Sequence, residues 1–411
     1  MTRPSAVPFW LDRFPRTRRP TYAPFKGATE TSVVIIGGGL TGCACAASFA
    51  AAGVKVVVLE ADRIGGGGTA GAPGIVREDF DASFRDVEAA HGLRAARLLW
   101  QGMRRASLEF ASAMRRLGVR ADAAALDFVH VVRRDADAAR RLRREYQSRR
   151  DAGLTHSWMT PAAVARETAI DGGGAIRTRG LGVDPYRACV GFAGAATSRG
   201  AMIHERSAAR RVRARRKHIE VTTARGTIRA DAVVIATESP IPDLRALRRH
   251  LRPTHAYCVA TEPLPAAVRR ETGRRAAAMR DDAQPPHVLR WIKEDRVLFA
   301  GAEQPAIPDR AREKTLVQRT GQLMYELSTL YPAISGLRPE WAWSTVHHHT
   351  ADGLPYIGPH RNFPRHLFAL GHARHGAGVA WLAARILLRQ YAGEPAKGDE
   401  LFGFARILGD R

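Results

Sequence analysis

The segment that most constrains the fold reads VVIIGGGLTGCACAASFAAAGVKVVVLE and begins at Val33. Its apolar run at 33–36 predicts a buried strand, and a second apolar run at 54–59 predicts another. Between them, the small-residue stretch at 40–52 predicts a helix that Gly53 ends. Two buried strands joined by a helix within about 30 residues form a βαβ unit. The sequence therefore predicts an α/β fold with parallel strands.

Three glycines, Gly37, Gly39 and Gly42, follow the first predicted strand in the spacing Gly-x-Gly-x-x-Gly. In this pattern the first glycine makes a tight turn, the second lets the backbone approach a pyrophosphate, and the third lets helix and strand pack closely. Glu60 ends the second predicted strand, where an acidic side chain accepts hydrogen bonds from ribose hydroxyls. Together these residues predict a dinucleotide site.

The chain of 411 residues carries 64 lysines and arginines and a formal net charge of +24. These basic residues are spread along the chain without aromatic interleaving or a binding module, so we expect no nucleic-acid partner. Four cysteines are too few for a disulfide-stapled fold, and no apolar stretch predicts a membrane span. We expect a cytoplasmic protein that is a monomer or a small homo-oligomer.

Four further segments match one family in order. They are GLGVDPYR (180–187), IRADAVVIAT (228–237), WSTVHHHTADGLPYIGP (343–359) and LFALGHARHGAGVAW (367–381). With the glycine-rich start, they resemble the D-amino-acid oxidase, glycine oxidase and sarcosine oxidase (DAO) superfamily of flavoenzymes. The long segment before the first strand most resembles the γ-glutamylputrescine-oxidase-like branch.

This resemblance implies a glutathione-reductase-type Rossmann domain that binds FAD, and an α+β substrate domain built on a mostly antiparallel sheet. The expected division is an arm at 1–30, a discontinuous FAD domain at 31–82, 175–240 and 345–395, a substrate domain at 83–174 and 241–344, and a tail at 396–411.

The activity that the resemblance implies is oxidation of a C–N bond in a small-molecule amine or amino acid. A hydride passes to flavin N5, the imine product is hydrolysed, and oxygen reoxidises the flavin with release of hydrogen peroxide. Two alternatives stay open at this point. One is a flavoenzyme that acts on a substrate linked to nucleic acid, as in tRNA modification. The other is an FAD dehydrogenase with an electron acceptor other than oxygen.

The residues expected to contact FAD lie in the glycine-rich start, the adenine-side strand and the loop before the last helix. They are Gly37, Gly39, Leu40, Thr41, Gly42, Glu60, Ala61, Val212, Ala236, Thr237, Gly371, His372, His375, Gly376, Ala377 and Gly378. A helix that starts near Gly376–Gly378 would direct its N-terminal N–H groups at the flavin ring, where reduction develops negative charge.

The substrate candidates are the charged and aromatic residues of the matched segments and of a predicted sheet strand, namely Arg77, His287, Arg290, Trp343 and His348. Candidates for a catalytic role are His348, His349 and Arg77. Alternation along a strand would place His347 and His349 on one side and His348 on the other. We expect no metal site, because no His-Glu-x-x-His helix or cysteine pair is present.

Two departures from the family pattern stand out. Glu238 and Ser239 follow Ala236-Thr237, where the family often has Thr-Gly-Ala. Gly378 stands where sarcosine oxidases carry a lysine, so sarcosine is not the expected substrate.

Overall fold

The computed structural model describes residues 4–372 and 376–407, which form two β-sheets and the helices packed against them. The helices are α1 (Phe9–Asp12), α2 (Leu40–Ala51), α3 (Gly68–Gly71), α4 (Phe84–Arg116), α5 (Ala136–Asp151), α6 (Pro161–Thr168), α7 (Pro185–Thr197), α8 (Ala266–Arg270), α9 (Arg312–Leu330) and α10 (Gly378–Ala392). The strands are β1 (Gly27–Ile36), β2 (Val56–Leu59), β3 (Ile75–Arg77), β4 (Ala124–Arg133), β5 (Ser157–Met159), β6 (Gly172–Gly182), β7 (Met202–His204), β8 (Arg211–Ala214), β9 (Ile219–Thr222), β10 (Gly226–Glu238), β11 (Arg252–Thr261), β12 (Ala277–Arg280), β13 (Val288–Ile292), β14 (Arg296–Pro305), β15 (Pro339–His349), β16 (Tyr356–His360) and β17 (Phe363–Leu370).

The first sheet has the strand order β16-β17-β10-β1-β2-β7, and the hairpin of β8 and β9 pairs with β10. The strands from β17 to β7 in this order are parallel. Val33 pairs with Val56 of β2 on one side and with Ala232 of β10 on the other. The predicted βαβ unit and the Rossmann-type fold are therefore confirmed.

The second sheet has the order β15-β11-β14-β13-β12-β4-β6-β3, and β5 pairs with β6. Its pairings are antiparallel apart from that of β12 with β4. A mostly antiparallel sheet was predicted, and the structure has one. The face of β15, β11 and β14 forms one wall of the candidate active site.

Helix α2 forms the centre of the largest core, where it packs against α7 and α10. Its residues from Cys43 to Phe49 are buried, and most of them have small side chains, so the three helices approach one another closely. This packing fixes the N-terminus of α2 at the end of β1. No helix within the described residues is long and apolar enough to cross a membrane.

The N-terminal segment, expected to be an arm, contains a short helix that packs on the second sheet. Residues 9–12 form α1, where Phe9 and Trp10 are buried, and the Phe9 ring centroid lies 5.1 Å from that of Trp341. Strand β1 begins at Gly27, not at Val33, because its first half pairs with the start of β10. The division of the chain at the predicted boundaries stays a prediction.

Candidate active site

Two positions accept only glycine where β1 leads into α2, one in the turn and one in the first turn of the helix. Gly37 has φ +109°, and a Cβ atom there would lie 2.6 Å from the carbonyl oxygen of Ala236. A Cβ atom on Gly42 would lie 1.8 Å from the carbonyl oxygen of Gly37. The turn, the helix and the neighbouring strand β10 are therefore in direct backbone contact, as the glycine spacing predicts.

This turn opens on a cavity of about 620 Å³, which we call the dinucleotide cavity. Nine residues predicted to contact FAD line it: Gly37, Gly39, Leu40, Thr41, Glu60, Ala61, Ala236, Thr237 and His372. Glu60 lies at its edge, and its carboxylate accepts hydrogen bonds from the backbone N–H of Gly38 at 2.6 Å and of Asp62 at 2.8 Å. The glycine turn, the helix N-terminus and this acid fit a dinucleotide.

A second cavity of about 140 Å³, which we call the ring cavity, lies between the dinucleotide cavity and the second sheet. Its walls are mostly apolar or glycine. Six residues line both cavities: Leu40, Thr41, Gly68, Thr69, Glu238 and His372. A ligand that extends out of the dinucleotide cavity would therefore reach the ring cavity.

The start of α10 also borders the ring cavity, through Gly376 and Ala377. Gly376 has φ +80°, and a Cβ atom there would lie 2.3 Å from the carbonyl oxygen of Ile75. The Ala377 N–H donates to the same oxygen at 2.9 Å. The Ala377 amide is therefore already bonded within the protein. The prediction that the start of α10 directs N–H groups at a flavin ring then depends on the amides that follow Ala377 in the chain.

His372 stands where the two cavities meet. Its Nδ1 lies 3.2 Å from Thr41 Oγ1, and its buried Nε2 has no hydrogen-bond partner within residues 4–372 and 376–407. Burial lowers the pKa of His372 to about 4, so the imidazole is neutral at pH 7. A buried polar atom without a partner is costly, and it fits a site that a bound group completes.

Arg77 lines the ring cavity, as expected of a substrate candidate, but its guanidinium group is already paired. Its Nη2 lies 2.5 Å from Asp81 Oδ1, and its Nε lies 3.6 Å from Asp79 Oδ1. Burial opposes the charge of Arg77, but the two aspartates outweigh it and raise its pKa. The charge is therefore largely neutralised within the protein.

The three consecutive histidines alternate as predicted. His347 borders the ring cavity, and both His347 and His349 contact the carboxylate of Glu303. His348 does not line the ring cavity, and its backbone N–H donates to Glu238 Oε1 at 3.3 Å. Burial, followed by the charges of the adjacent histidines, lowers the pKa of His348 to about 4. The neighbour His347 is thus better placed to meet a substrate than the candidate His348.

Three other substrate candidates lie outside the lining of the ring cavity, and a substrate contact for them stays a prediction. His287 precedes β13 and hydrogen-bonds Asp281 at 2.7 Å and Glu326 at 2.9 Å in a different cavity. The guanidinium group of Arg290 donates to the backbone carbonyls of Pro73, Gly74 and Val183. Trp343 is buried in the core, where its Nε1 donates to Gly71 O at 3.1 Å.

Four residues predicted to contact FAD support the site from outside the lining of the two cavities: Gly42, Val212, Gly371 and Gly378. The Val212 N–H, for example, donates to Asp243 Oδ2 at 2.8 Å. The predicted contact His375 lies outside the described residues.

Two carboxylates that line the site were not among the predicted site residues. Glu238 lines both cavities and has φ +62°, a left-handed conformation in which glycine is favoured, so its departure from the family's glycine was a usable signal. Glu303 borders the ring cavity from β14, and no local motif marks it. Thr69 was also missed, although its Oγ1 accepts a hydrogen bond from the Leu40 N–H at 2.8 Å at the start of α2.

Comparisons with known proteins agree with this geometry. A family model described as DAO, FAD dependent oxidoreductase, matches residues 32–390. The gamma-glutamylputrescine oxidoreductase of Escherichia coli (strain K12) is 24% identical over 385 residues, which cover 92% of this chain and 88% of that protein. The glycine oxidase of Bacillus licheniformis is 24% identical over 385 residues, which cover 90% of this chain and 95% of that protein.

Among solved structures, the L-proline dehydrogenase from P. horikoshii has a TM-score of 0.76 at 19% identity. The match covers 94% of this chain and 99% of that one. At this identity the likeness shows a shared fold.

Proposed function

Because the chain belongs to the DAO family of FAD-dependent oxidoreductases, we propose that it oxidises a C–N bond of a small amine or amino acid. FAD is its cofactor and supplies the two-electron acceptor when bound. The observation that carries the proposal is the ring cavity, a small and mostly apolar space that shares six lining residues with the dinucleotide cavity. A substrate held there would meet the cofactor away from bulk water.

The character of the ring cavity suits an amine donor. Loss of a hydride from the carbon next to nitrogen requires the nitrogen lone pair, so the substrate must first lose its ammonium proton. The apolar part of the lining disfavours the charged ammonium form, and Glu238, whose pKa burial raises, is a carboxylate in the same lining that can accept its proton. The neutral imidazole of His372 at the cavity junction can orient the amine or the cofactor through its Nε2.

The names of the relatives support a nitrogen-bearing substrate, since two of them are a glycine oxidase and a gamma-glutamylputrescine oxidoreductase. We further propose that the imine product is hydrolysed and that oxygen reoxidises the cofactor with release of hydrogen peroxide. On the basis of the sequence alone, we also propose a cytoplasmic location.

The test is anaerobic reduction of the purified yellow protein by a panel of amines, amino acids and the matching alcohols and hydroxy acids. We expect one amine or amino acid to bleach the flavin absorbance, while its hydroxy analogue leaves it unchanged. Readmission of air should restore the colour and produce peroxide. Reduction by hydroxy analogues alone, or a protein that takes up no FAD, would overturn the proposal.

A further inference from the structure

Although the sequence motifs predict no metal site, we propose that Glu303, His347 and His349 form a binding site for one divalent transition-metal ion at the edge of the ring cavity. Each residue offers one ligand atom, and these atoms lie within 4.8 Å of one another. His349 Nε2 lies 2.6 Å from Glu303 Oε1, and His347 Nδ1 lies 3.5 Å from the same oxygen. The binding claim stands apart from the proposed reaction.

Three adjacent strands of the second sheet build this cluster. On β15, His347 and His349 are two residues apart and so project from the same face. Thr254 of β11 pairs with His347, and its Oγ1 donates to Glu303 Oε1 at 2.5 Å. The three ligands thus come from the two strands on either side of β11.

A β-bulge in β14 directs Glu303 at the histidines. The pairing register between β11 and β14 shifts between His255 and Tyr257, so Ala302 and Glu303 together oppose Ala256. Ala302 has φ +50°, a left-handed conformation that is unfavourable for a residue with a Cβ atom. Bulges re-aim side chains near functional sites, and a strained residue that persists there indicates a role for the side chain that it positions.

The donor set suits a zinc-like ion. Two imidazole nitrogens and one carboxylate oxygen are a common ligand set of Zn²⁺ sites that keep an open position. The side chains of Glu303 and His347 are 7% and 12% exposed, and both residues border the ring cavity, so that open position would face the cavity. Within the described residues, His347 Nδ1 has no hydrogen-bond partner and lies 3.5 Å from Glu303 Oε1.

The charges around the ring cavity indicate a role for the metal ion in substrate binding. Arg77 is the one lysine or arginine among the described residues that line it, and its guanidinium group is paired with Asp79 and Asp81. Glu238 and Glu303 add acidic groups to the same lining. A metal ion would neutralise Glu303 and offer its open position to an anionic group, such as the carboxylate of an amino-acid substrate. This use of the ion rests on the proposed function.

The experiment is calorimetric titration of Zn²⁺ into chelator-treated, FAD-loaded protein. We expect one Zn²⁺ per chain. Glu303→Gln and His349→Ala each remove a ligand and should raise the Kd for Zn²⁺ more than about 100-fold. Thr254→Val removes only the hydrogen bond to Glu303 and should raise this Kd about 10-fold. His218→Ala removes a histidine far along the sequence, on the turn between β8 and β9, and is the matched control for adventitious binding, with no change expected.

Cobalt provides a second readout in the same protein. Co²⁺ should give visible d–d bands beyond the flavin absorption in the parent and in His218→Ala, and not in Glu303→Gln. The flavin spectrum of each variant verifies that it is folded. Absence of stoichiometric binding by the parent, or an equal loss in His218→Ala, would overturn the metal site. If amines reduce the flavin but the protein binds no Zn²⁺, only the metal site is refuted. If the protein binds Zn²⁺ but no amine or amino acid reduces the flavin, only the proposed function is refuted.

Discussion

The substitution Gly42→Ala tests the contact between helix α2 and the turn that forms the dinucleotide cavity. The added Cβ atom would lie 1.8 Å from the Gly37 carbonyl oxygen, whereas ordinary contact begins near 3.4 Å. The two atoms must therefore move apart by about 1.6 Å, the difference between these distances. Neither can move alone, because the Gly37 N–H is bonded to Leu59 O at 2.9 Å and α2 is packed in the core.

The magnitude follows from comparison with Gly194→Ala in α7. A Cβ atom at Gly194 would meet nothing within 4 Å, so this variant should gain about 0.8–1 kcal/mol of helix propensity. Gly42→Ala has the same propensity term but adds an overpacking cost of about 1–3 kcal/mol. The difference in unfolding free energy between the two variants therefore isolates the steric term.

The assay has two parts, denaturant unfolding of the apoprotein and reconstitution with FAD. If the clash is relieved by displacement of the turn, the FAD Kd of Gly42→Ala should rise roughly 5- to 150-fold, the equivalent of 1–3 kcal/mol. Gly194→Ala should bind FAD as the parent does. Equal unfolding midpoints and equal FAD affinities in the two variants would refute the reasoning.

Three further predictions concern single side chains. Glu60→Ala should raise the FAD Kd about 10-fold or more, because a hydrogen-bond acceptor is lost, and Glu60→Gln should raise the Kd less. An unchanged Kd in Glu60→Ala would exclude the ribose role. Ala302→Gly should stabilise the protein by roughly 0.5–1 kcal/mol, because the relief of left-handed strain exceeds the cost of the greater conformational entropy of glycine in the unfolded chain. A lower denaturation midpoint would contradict this. For His287, burial favours the neutral form, but Asp281 and Glu326 outweigh it and raise the pKa above 6.5. Its contribution to stability should be complete below pH 6.5 and lost as the pH rises through the raised pKa. The difference in melting temperature between the parent and His287→Gln should therefore shrink as the pH rises above 6.5, and a difference that stays constant would contradict this.

Sequence patterns correctly predicted the helix and the strand that follow the glycine-rich turn. The helix expected at 40–52 is Leu40–Ala51, and the strand expected at 54–59 is Val56–Leu59. The hydrophobic period and the glycine spacing depend on residues that are close together in the sequence. They therefore sufficed to predict residues that line the dinucleotide cavity.

The lining of the ring cavity depends on long-range register and was only partly predictable. His287 precedes β13 and meets Glu326 of α9, a contact that no strand pattern indicates. Glu303 reaches the cavity through a bulge that needs β11 beside it. Pattern analysis can show that residues alternate, as it did for the three histidines, but the pairing of strands decides which face meets the cavity.

The wall shared by the two cavities makes their occupants thermodynamically interdependent. A small molecule seated against Thr41 and His372 contacts the same side chains that border the cofactor. Any factor by which such a molecule tightens FAD must, by linkage, equal the factor by which FAD tightens the molecule. Retention of the cofactor during purification therefore becomes a sensitive reporter of compounds that fit the ring cavity, even those that the enzyme does not turn over.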